Sequence, residues 1–231
     1  MKRRFNPTEL EWMDKPQPVT AELSTDLHNL RQLNRYFGSY ALIAHFLQRW
    51  IQPNGKLDVL DLATGSGDIP RIVVDHARKI GATVRVDAID QQQSTLEIAR
   101  SLSRDYQEIN FRQGNILTFA NADKYDLVFC TLVLHHFSEE EASLLLRQCR
   151  NLSRRFVLVS DLRRSWFTSI GVYLLTAFVF RDPMTRNDGR VSAARAFSFS
   201  ELRSLAERAG WKDFGHSRFR YGRQAIWLEG G

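Results

Sequence analysis

Hydrophobic positions change rhythm along this chain. Over residues 21–50 they recur at helical spacing, with Leu23, Leu27, Leu30 and Leu33 three or four apart. Gly38 divides the stretch, so it predicts two helices, the second over 40–51, and Pro53, Asn54 and Gly55 predict a turn after them. Beyond the turn, short apolar runs alternate with amphipathic stretches. Residues 57–62, 84–90, 109–115, 125–130 and 156–162 read as strands, and 69–80, 94–102 and 139–152 as helices. LDVLDL at 57–62 is nearly unbroken in its apolar character, as in a strand covered on both faces. Strands alternating with helices predict crossover units, and therefore an α/β fold on a parallel sheet. The tail differs. A helix over 200–209 ends at Gly210, and two strand-like runs, 211–219 and 224–228, flank Gly222. They predict an antiparallel hairpin closing the sheet. The first 20 residues, with Pro7, Pro16 and Pro18, read as an irregular arm, and residues 186–199, RNDGRVSAARAFSF, as a polar, basic loop. The predicted organisation is an arm (1–20), a helical cap (21–52) and one α/β domain (53–231).

Composition narrows the class. The 231 residues are 43% hydrophobic and 25% charged, as in a soluble globular protein and unlike a disordered chain or a fibre. The net charge of +6 favours anionic substrates, nucleic acid or an acidic membrane surface without choosing among them. Two cysteines, Cys130 and Cys149, leave no disulfide framework and no cysteine-based zinc site. The basic N-terminus has no apolar stretch behind it, so it does not read as a secretory signal. The longest apolar run, 166–180, is shorter than the ~20 residues a spanning helix needs. The expectation is a soluble, cytoplasmic protein.

The sharpest motif is VLDLATGSGDIP at 59–70, at the junction of the first strand and its helix. Gly65 and Gly67 allow a ligand to approach the backbone, outside the carboxyl ends of parallel strands. Asp90 ends the second strand, where an acid can accept two hydrogen bonds from a ribose diol. A dinucleotide fingerprint would place a third glycine at position 70, where this chain has Pro70, and would put a pyrophosphate beside Asp61 and Asp68. Those acids suit a cofactor with a cationic amino-acid end, which points to S-adenosylmethionine.

Together these motifs resemble the class I S-adenosylmethionine-dependent methyltransferases, most of all the small-molecule branch that includes the ubiquinone and menaquinone biosynthesis enzymes. The resemblance covers residues 57–228, with 21–51 as the helical cap, and implies a Rossmann-like doubly wound sheet. It implies that Asp61, Ala63, Gly65 and Gly67 hold the methionine end of the cofactor, and that Asp90 and its neighbour Gln91 hold the ribose. Asn115 stands where the family usually has an aspartate facing the adenine, with Ile116 beside it. YDLVFCTLVLHHF at 125–137, which carries Thr131, matches the family's fourth-strand motif.

Methyl transfer from a sulfonium is an in-line displacement, so the protein's task is to align the acceptor and help remove its proton. His135 and His136 lie just past the fourth strand and are the candidate bases. Asp161, ending the fifth strand, is a candidate for an acceptor hydroxyl or for an ion pair. Arg190 and Arg195 are candidates to close over an anionic acceptor, Tyr36 and Phe37 to pack on the sulfonium or an acceptor ring, and Phe178 to line a lipophilic pocket formed by residues 165–182. No metal is expected, because adjacent histidines diverge on an extended segment and no H-E-x-x-H helix is present. The expected partner is a small, aromatic or lipophilic acceptor, free, carrier-delivered or at a membrane surface. A nucleic-acid acceptor is disfavoured: Cys130-Thr131-Leu132-Val133 replaces the Asn/Asp-Pro-Pro-aromatic tetrapeptide of enzymes acting on exocyclic amines. A non-catalytic cofactor-binding subunit remains compatible with the same motifs.

Overall fold

The computed structural model describes residues 2–230. The two N-terminal helices are α1 (Ala21–Tyr36) and α2 (Ser39–Trp50). Thr20 caps α1 by accepting a hydrogen bond from the Leu23 amide, and Gly38, at φ 87°, makes the left-handed break that starts α2. The alternating section then runs β1 (Lys56–Leu62), α3 (Asp68–Lys79), β2 (Thr83–Asp90), α4 (Gln93–Leu102), β3 (Ile109–Gln113), β4 (Tyr125–Thr131), α5 (Glu139–Leu152) and β5 (Ser153–Leu162). It is followed by α6 (Trp166–Phe178), α7 (Pro183–Arg195), α8 (Phe199–Arg208), β6 (Gly215–Phe219) and β7 (Arg223–Glu229).

The seven strands form one sheet in the order β3-β2-β1-β4-β5-β7-β6. The first five are parallel, and β7 pairs antiparallel with both β5 and β6. The side-chain period of two sorts the core into two layers. Leu60, Leu62, Val128, Cys130, Val157 and Val159 face α5 and α8. Val59, Leu127, Phe129 and Leu158 face α2 and α3. Both layers are continuous and nearly solvent-free, so the central strands β1, β4 and β5 are buried on both faces, as the unbroken run at 57–62 predicts, while the edge strands β3 and β6 are polar and partly exposed. The order reverses at β1, leaving a crevice beyond the carboxyl ends of β1 and β4.

Three local expectations are corrected. Residues 186–199 are not a loop, since most of them lie in α7. Asp182 caps α7 by accepting from the Met184 and Thr185 amides, and Pro183 occupies the first turn, where its missing N–H costs nothing. The hairpin begins at Gly215 rather than at Trp211, whose indole N–H is sunk in the core and donates to the Leu146 carbonyl at 3.0 Å. The segment after β4 is not extended: Leu134–His136 form a 3₁₀ turn. In the N-terminal arm, Trp12–Asp14 form a second 3₁₀ turn.

Candidate functional site

A cavity of about 820 Å³ opens at the crevice. Its wall is built from the carboxyl ends of β1, β2 and β4, the cap, α6, α7 and the N-terminal arm. Two residues at its rim hold strained backbone. Ala63 and Leu132 have φ of 59° and 56°, a region that non-glycine residues rarely adopt and that clusters at functional sites.

One end of the cavity is lined by Ala63, Gly65, Asp90, Gln91, Ile116 and Thr131. Gly65 has φ 55°, and a Cβ there would meet nothing within 4 Å, so its missing side chain leaves the wall open to a ligand. Asp90 holds that loop. Its Oδ2 accepts from the Gly65 amide at 2.8 Å and its Oδ1 from the Gln92 amide at 3.0 Å. Burial raises the Asp90 pKa, the amides of Gln92, Gly65 and Gln91 pull it back, and Asp14 adds to the rise. Asp61 lies behind the wall, fully buried, and its carboxyl has no charged partner, only the nearby Thr64 hydroxyl. Burial pushes its pKa up to about 8. The Thr64 hydroxyl offsets only part of that, and Asp68 and Asp90 add to it. Gly67, at φ 71°, stays out of the wall, where a Cβ would strike the Phe111 ring at 2.8 Å. Asn115 also stays out: its carboxamide oxygen accepts from the Leu117 amide at 2.9 Å in its own turn. Asp68 in the wall accepts from Asn34 at 3.1 Å and Tyr40 at 2.9 Å, which ties the cap to the glycine turn. Burial, then Asp68, push the Tyr40 phenol above its ordinary value.

A cationic, ribose-bearing cofactor fits this end. The orphaned Asp61 carboxylate lacks a positive partner, Gly65 is open, and Asp68 and Asp90 add negative charge that a pyrophosphate would not tolerate.

The other end is built around His135 and His136. His135 Nδ1 lies 2.7 Å from Asp161 Oδ1, and its backbone amide donates to Asp161 Oδ2 at 3.0 Å. His136 Nδ1 lies 2.7 Å from Asp14 Oδ2. Carboxylates only accept, so each Nδ1 carries the proton and each Nε2 faces the other way. Both Nε2 atoms turn to Glu11, at 3.7 Å for His135 and 3.8 Å for His136. Glu11 is buried and accepts from the Ser192 hydroxyl at 2.7 Å. Burial opposes a charge on His136, but Glu11 and Asp14 overcome it and push its pKa up to about 10. Asp161 and Asp14 sit below their ordinary values: burial opposes the shift, and His135 and His136 respectively outweigh it.

Glu11 and Asp14 are the residues that sequence reasoning missed. The Asp188 carboxylate pins their turn by accepting from the Trp12 and Met13 amides at 2.8 and 3.0 Å. Acids in a proline-bearing arm carry no periodic signal, and their partners lie in α7 and after β4.

The candidate acceptor residues are placed differently from expectation. Asp161 touches His135 rather than the cavity. Arg190 reaches the Thr176 hydroxyl at 3.2 Å and stacks 4.2 Å over the Tyr173 ring. Arg195 is buried and donates to the carbonyls of Asn6 and Glu9, so it anchors the arm and does not close over a ligand. Tyr36 and Phe178 are 63% and 67% exposed and point outward. Phe37 and, from α6, Phe167, Val172 and Leu175 line the cavity instead. Helix α6 is not packed wholly under the cap. One face lines the cavity, while Trp166, Tyr173, Leu174 and Phe178 are exposed.

Residues 59–155 match the family model for the methyltransferase domain. Among curated proteins no relative matches the sequence. Several solved structures share the fold. The S-adenosylmethionine-dependent methyltransferase SibL is 20% identical at a TM-score of 0.61, over 88% of this chain and 56% of SibL. The magnesium protoporphyrin IX methyltransferase from Synechocystis, with bound SAH, is 15% identical at 0.58, over 95% and 91%. An O-methyltransferase family 2 protein from Planctomyces limnophilus, in complex with apigenin, is 16% identical at 0.60, over 91% and 62%. The chain spans about 60% of the length of the first and third of these.

Proposed function

We propose, from the match of residues 59–155 to the methyltransferase-domain model and from the fold, that this chain uses S-adenosylmethionine to methylate a small, largely apolar acceptor at an ionisable oxygen or an activated carbon. The observation that carries the reading is one continuous cavity lined by two chemically different groups. Gly65 and Asp90 form one, with the buried Asp61 behind them, and two carboxylate-oriented histidines form the other.

Asp61 and the turn at Ala63 and Gly65 hold the methionine end, Asp90 and Gln91 the ribose, and Ile116 and Thr131 the remaining wall. S-adenosylmethionine supplies the electrophilic methyl group. The chain positions the acceptor's nucleophilic atom beside the histidines, where His135 assists loss of its proton and His136, held protonated by Glu11 and Asp14, supplies positive charge to the developing anion. Asp161 and Asp14 act through the imidazoles as positioning residues. The cavity wall on α6 and the cap excludes water and favours an aromatic or alkyl acceptor. Such an acceptor could be delivered by a carrier or from a membrane surface. Among the described residues no helix is long and apolar enough to cross a membrane. Nucleic acid is not the expected acceptor, since the histidine end lies under the arm and α7 rather than on an open basic face.

Calorimetry with S-adenosylmethionine, together with methyl transfer to a panel of phenols and enols, tests this. Asp90→Ala should lose roughly 1.5–3 kcal/mol of cofactor affinity. His135→Ala and His136→Ala should bind cofactor normally and turn over about a hundredfold more slowly. Tighter binding of a nicotinamide dinucleotide, or full turnover in both histidine variants, would contradict the proposal.

A further inference from the structure

We propose that Glu11, His135 and His136 form a binding site for one divalent first-row transition-metal ion at the acceptor end of the cavity. The inference rests on the proposed function for its role, but not for its existence.

Three donor atoms converge there: Nε2 of His135, Nε2 of His136 and the Glu11 carboxylate, all within 4.8 Å of one another. The 3₁₀ turn at Leu134–His136 makes this possible. It folds consecutive histidines so that their ring centroids are 4.3 Å apart, where an extended segment would send them to opposite sides. The Nε2-to-Glu11 separations of 3.7 and 3.8 Å are too long for hydrogen bonds. Two ligands ~2.1 Å from a shared tetrahedral ion stand roughly 3.4 Å apart, so a small movement seats the ion.

The surrounding groups supply the independent argument. Metal-binding histidines typically give their other ring N–H to a carboxylate, which fixes the tautomer and aims the free lone pair at the ion. Here both histidines do so, His135 to Asp161 and His136 to Asp14, each at 2.7 Å, and on His136 the ion takes the place of the Nε2 proton that faces Glu11. The Ser192 hydroxyl orients Glu11 in the same way. All three donors line the cavity, so an ion they held would keep positions open to an acceptor oxygen. Two imidazoles and one carboxylate suit zinc, iron, cobalt or manganese better than magnesium or calcium, which prefer oxygen donors throughout. With an ion in place, the histidines assist as ligands: the cation binds the acceptor oxygen and stabilises its deprotonated form, and the proton leaves to solvent.

The test uses the full chain, stripped with a chelator and titrated with Co²⁺ alone. The expected result is one equivalent bound, with the visible absorption of a nitrogen-ligated ion and displacement by Zn²⁺. Glu11→Gln and His136→Gln should abolish those bands. Asp14→Asn and Asp161→Asn should weaken binding about ten- to a hundredfold, as loss of an orienting partner does. A cooperative thermal unfolding transition like that of the wild type shows that each variant is folded. Asp90→Asn, which touches none of the three donors, should lose cofactor and keep Co²⁺, which separates failure of the cofactor assignment from failure of the metal site. Absence of Co²⁺ and Zn²⁺ binding in the wild type, or equal binding in Glu11→Gln, overturns the site. If the histidine variants still slow methyl transfer in that case, the proposed function survives without the metal.

Discussion

At the scale of single residues, Asp61 is the group most at odds with its surroundings. Its carboxyl is fully buried with no charged partner, and burial, only partly offset by the Thr64 hydroxyl, raises its pKa from 3.8 to about 8. The folded chain therefore holds a proton there that the unfolded chain releases above pH 4, and stability falls as pH rises from about 4 to about 8. The cost near pH 8 is on the order of a few kcal/mol. Asp61→Asn should raise the melting temperature of the cofactor-free protein at pH 8 by several degrees, with the gain vanishing near pH 4. The same variant should bind S-adenosylmethionine more weakly, because the cofactor's cationic end loses its counter-charge. A pH-independent melting difference would show that Asp61 is not the titrating group.

Gly65 and Asp90 were legible because their residue types leave few alternatives: a glycine turn closing a strand, and an acid closing the next. Asn115 was not. Its side chain satisfies its own turn through the Leu117 amide, a choice that spacing cannot reveal. The histidine pair was located, but its geometry was not, since the 3₁₀ turn depends on the Asp161 carboxylate one strand away holding the His135 amide.

At the scale of elements, strands and crossover helices followed from periodicity alone, whereas the arm and α7 did not. Asn187, Asp188 and Gly189 favour loops locally, and tertiary contacts override them. Asp188 holds the Trp12–Asp14 turn, and Ser192 bonds Glu11. The start signal, Asp182 followed by Pro183, was present in the sequence and outweighed by this composition. The arm is thus clamped by α7 over the histidine end. Asp188→Ala should remove two charge-assisted bonds, each contributing about 1.5–3 kcal/mol at most. Limited proteolysis should then cut within the arm, and KM for the acceptor should rise while cofactor affinity stays near wild type. An arm that stays protected in the variant would mean that Arg195 and the arm's other contacts suffice.

Helix α6 is apolar nearly all round, and its two faces have different surroundings. Thr168, Val172 and Leu175 meet the cavity, Phe167 stands exposed at its mouth, and Trp166, Tyr173 and Phe178 meet solvent. Efficiency with phenols of increasing alkyl length should rise by up to about 0.8 kcal/mol per buried methylene. Leu175→Ser should blunt that rise, and Phe178→Ser should leave it intact in solution. The reverse pattern would place the chain-binding surface on the outer face.

At the scale of the whole molecule, the doubly wound sheet reverses its order at β1, and the arm, cap, α6 and α7 roof the resulting crevice. The roof encloses the glycine turn with Asp90 and the histidine pair within one largely apolar cavity. The central claim is that a methyl group crosses from one end to the other. Radiolabelled methyl transfer from S-adenosylmethionine to a lipophilic phenol or enol measures this directly, in wild type and in His135→Ala. The account predicts label in the acceptor with wild type and a loss of about a hundredfold in the variant at unchanged cofactor affinity. No label in any phenol, enol or activated-carbon acceptor, with the cofactor bound, would contradict it.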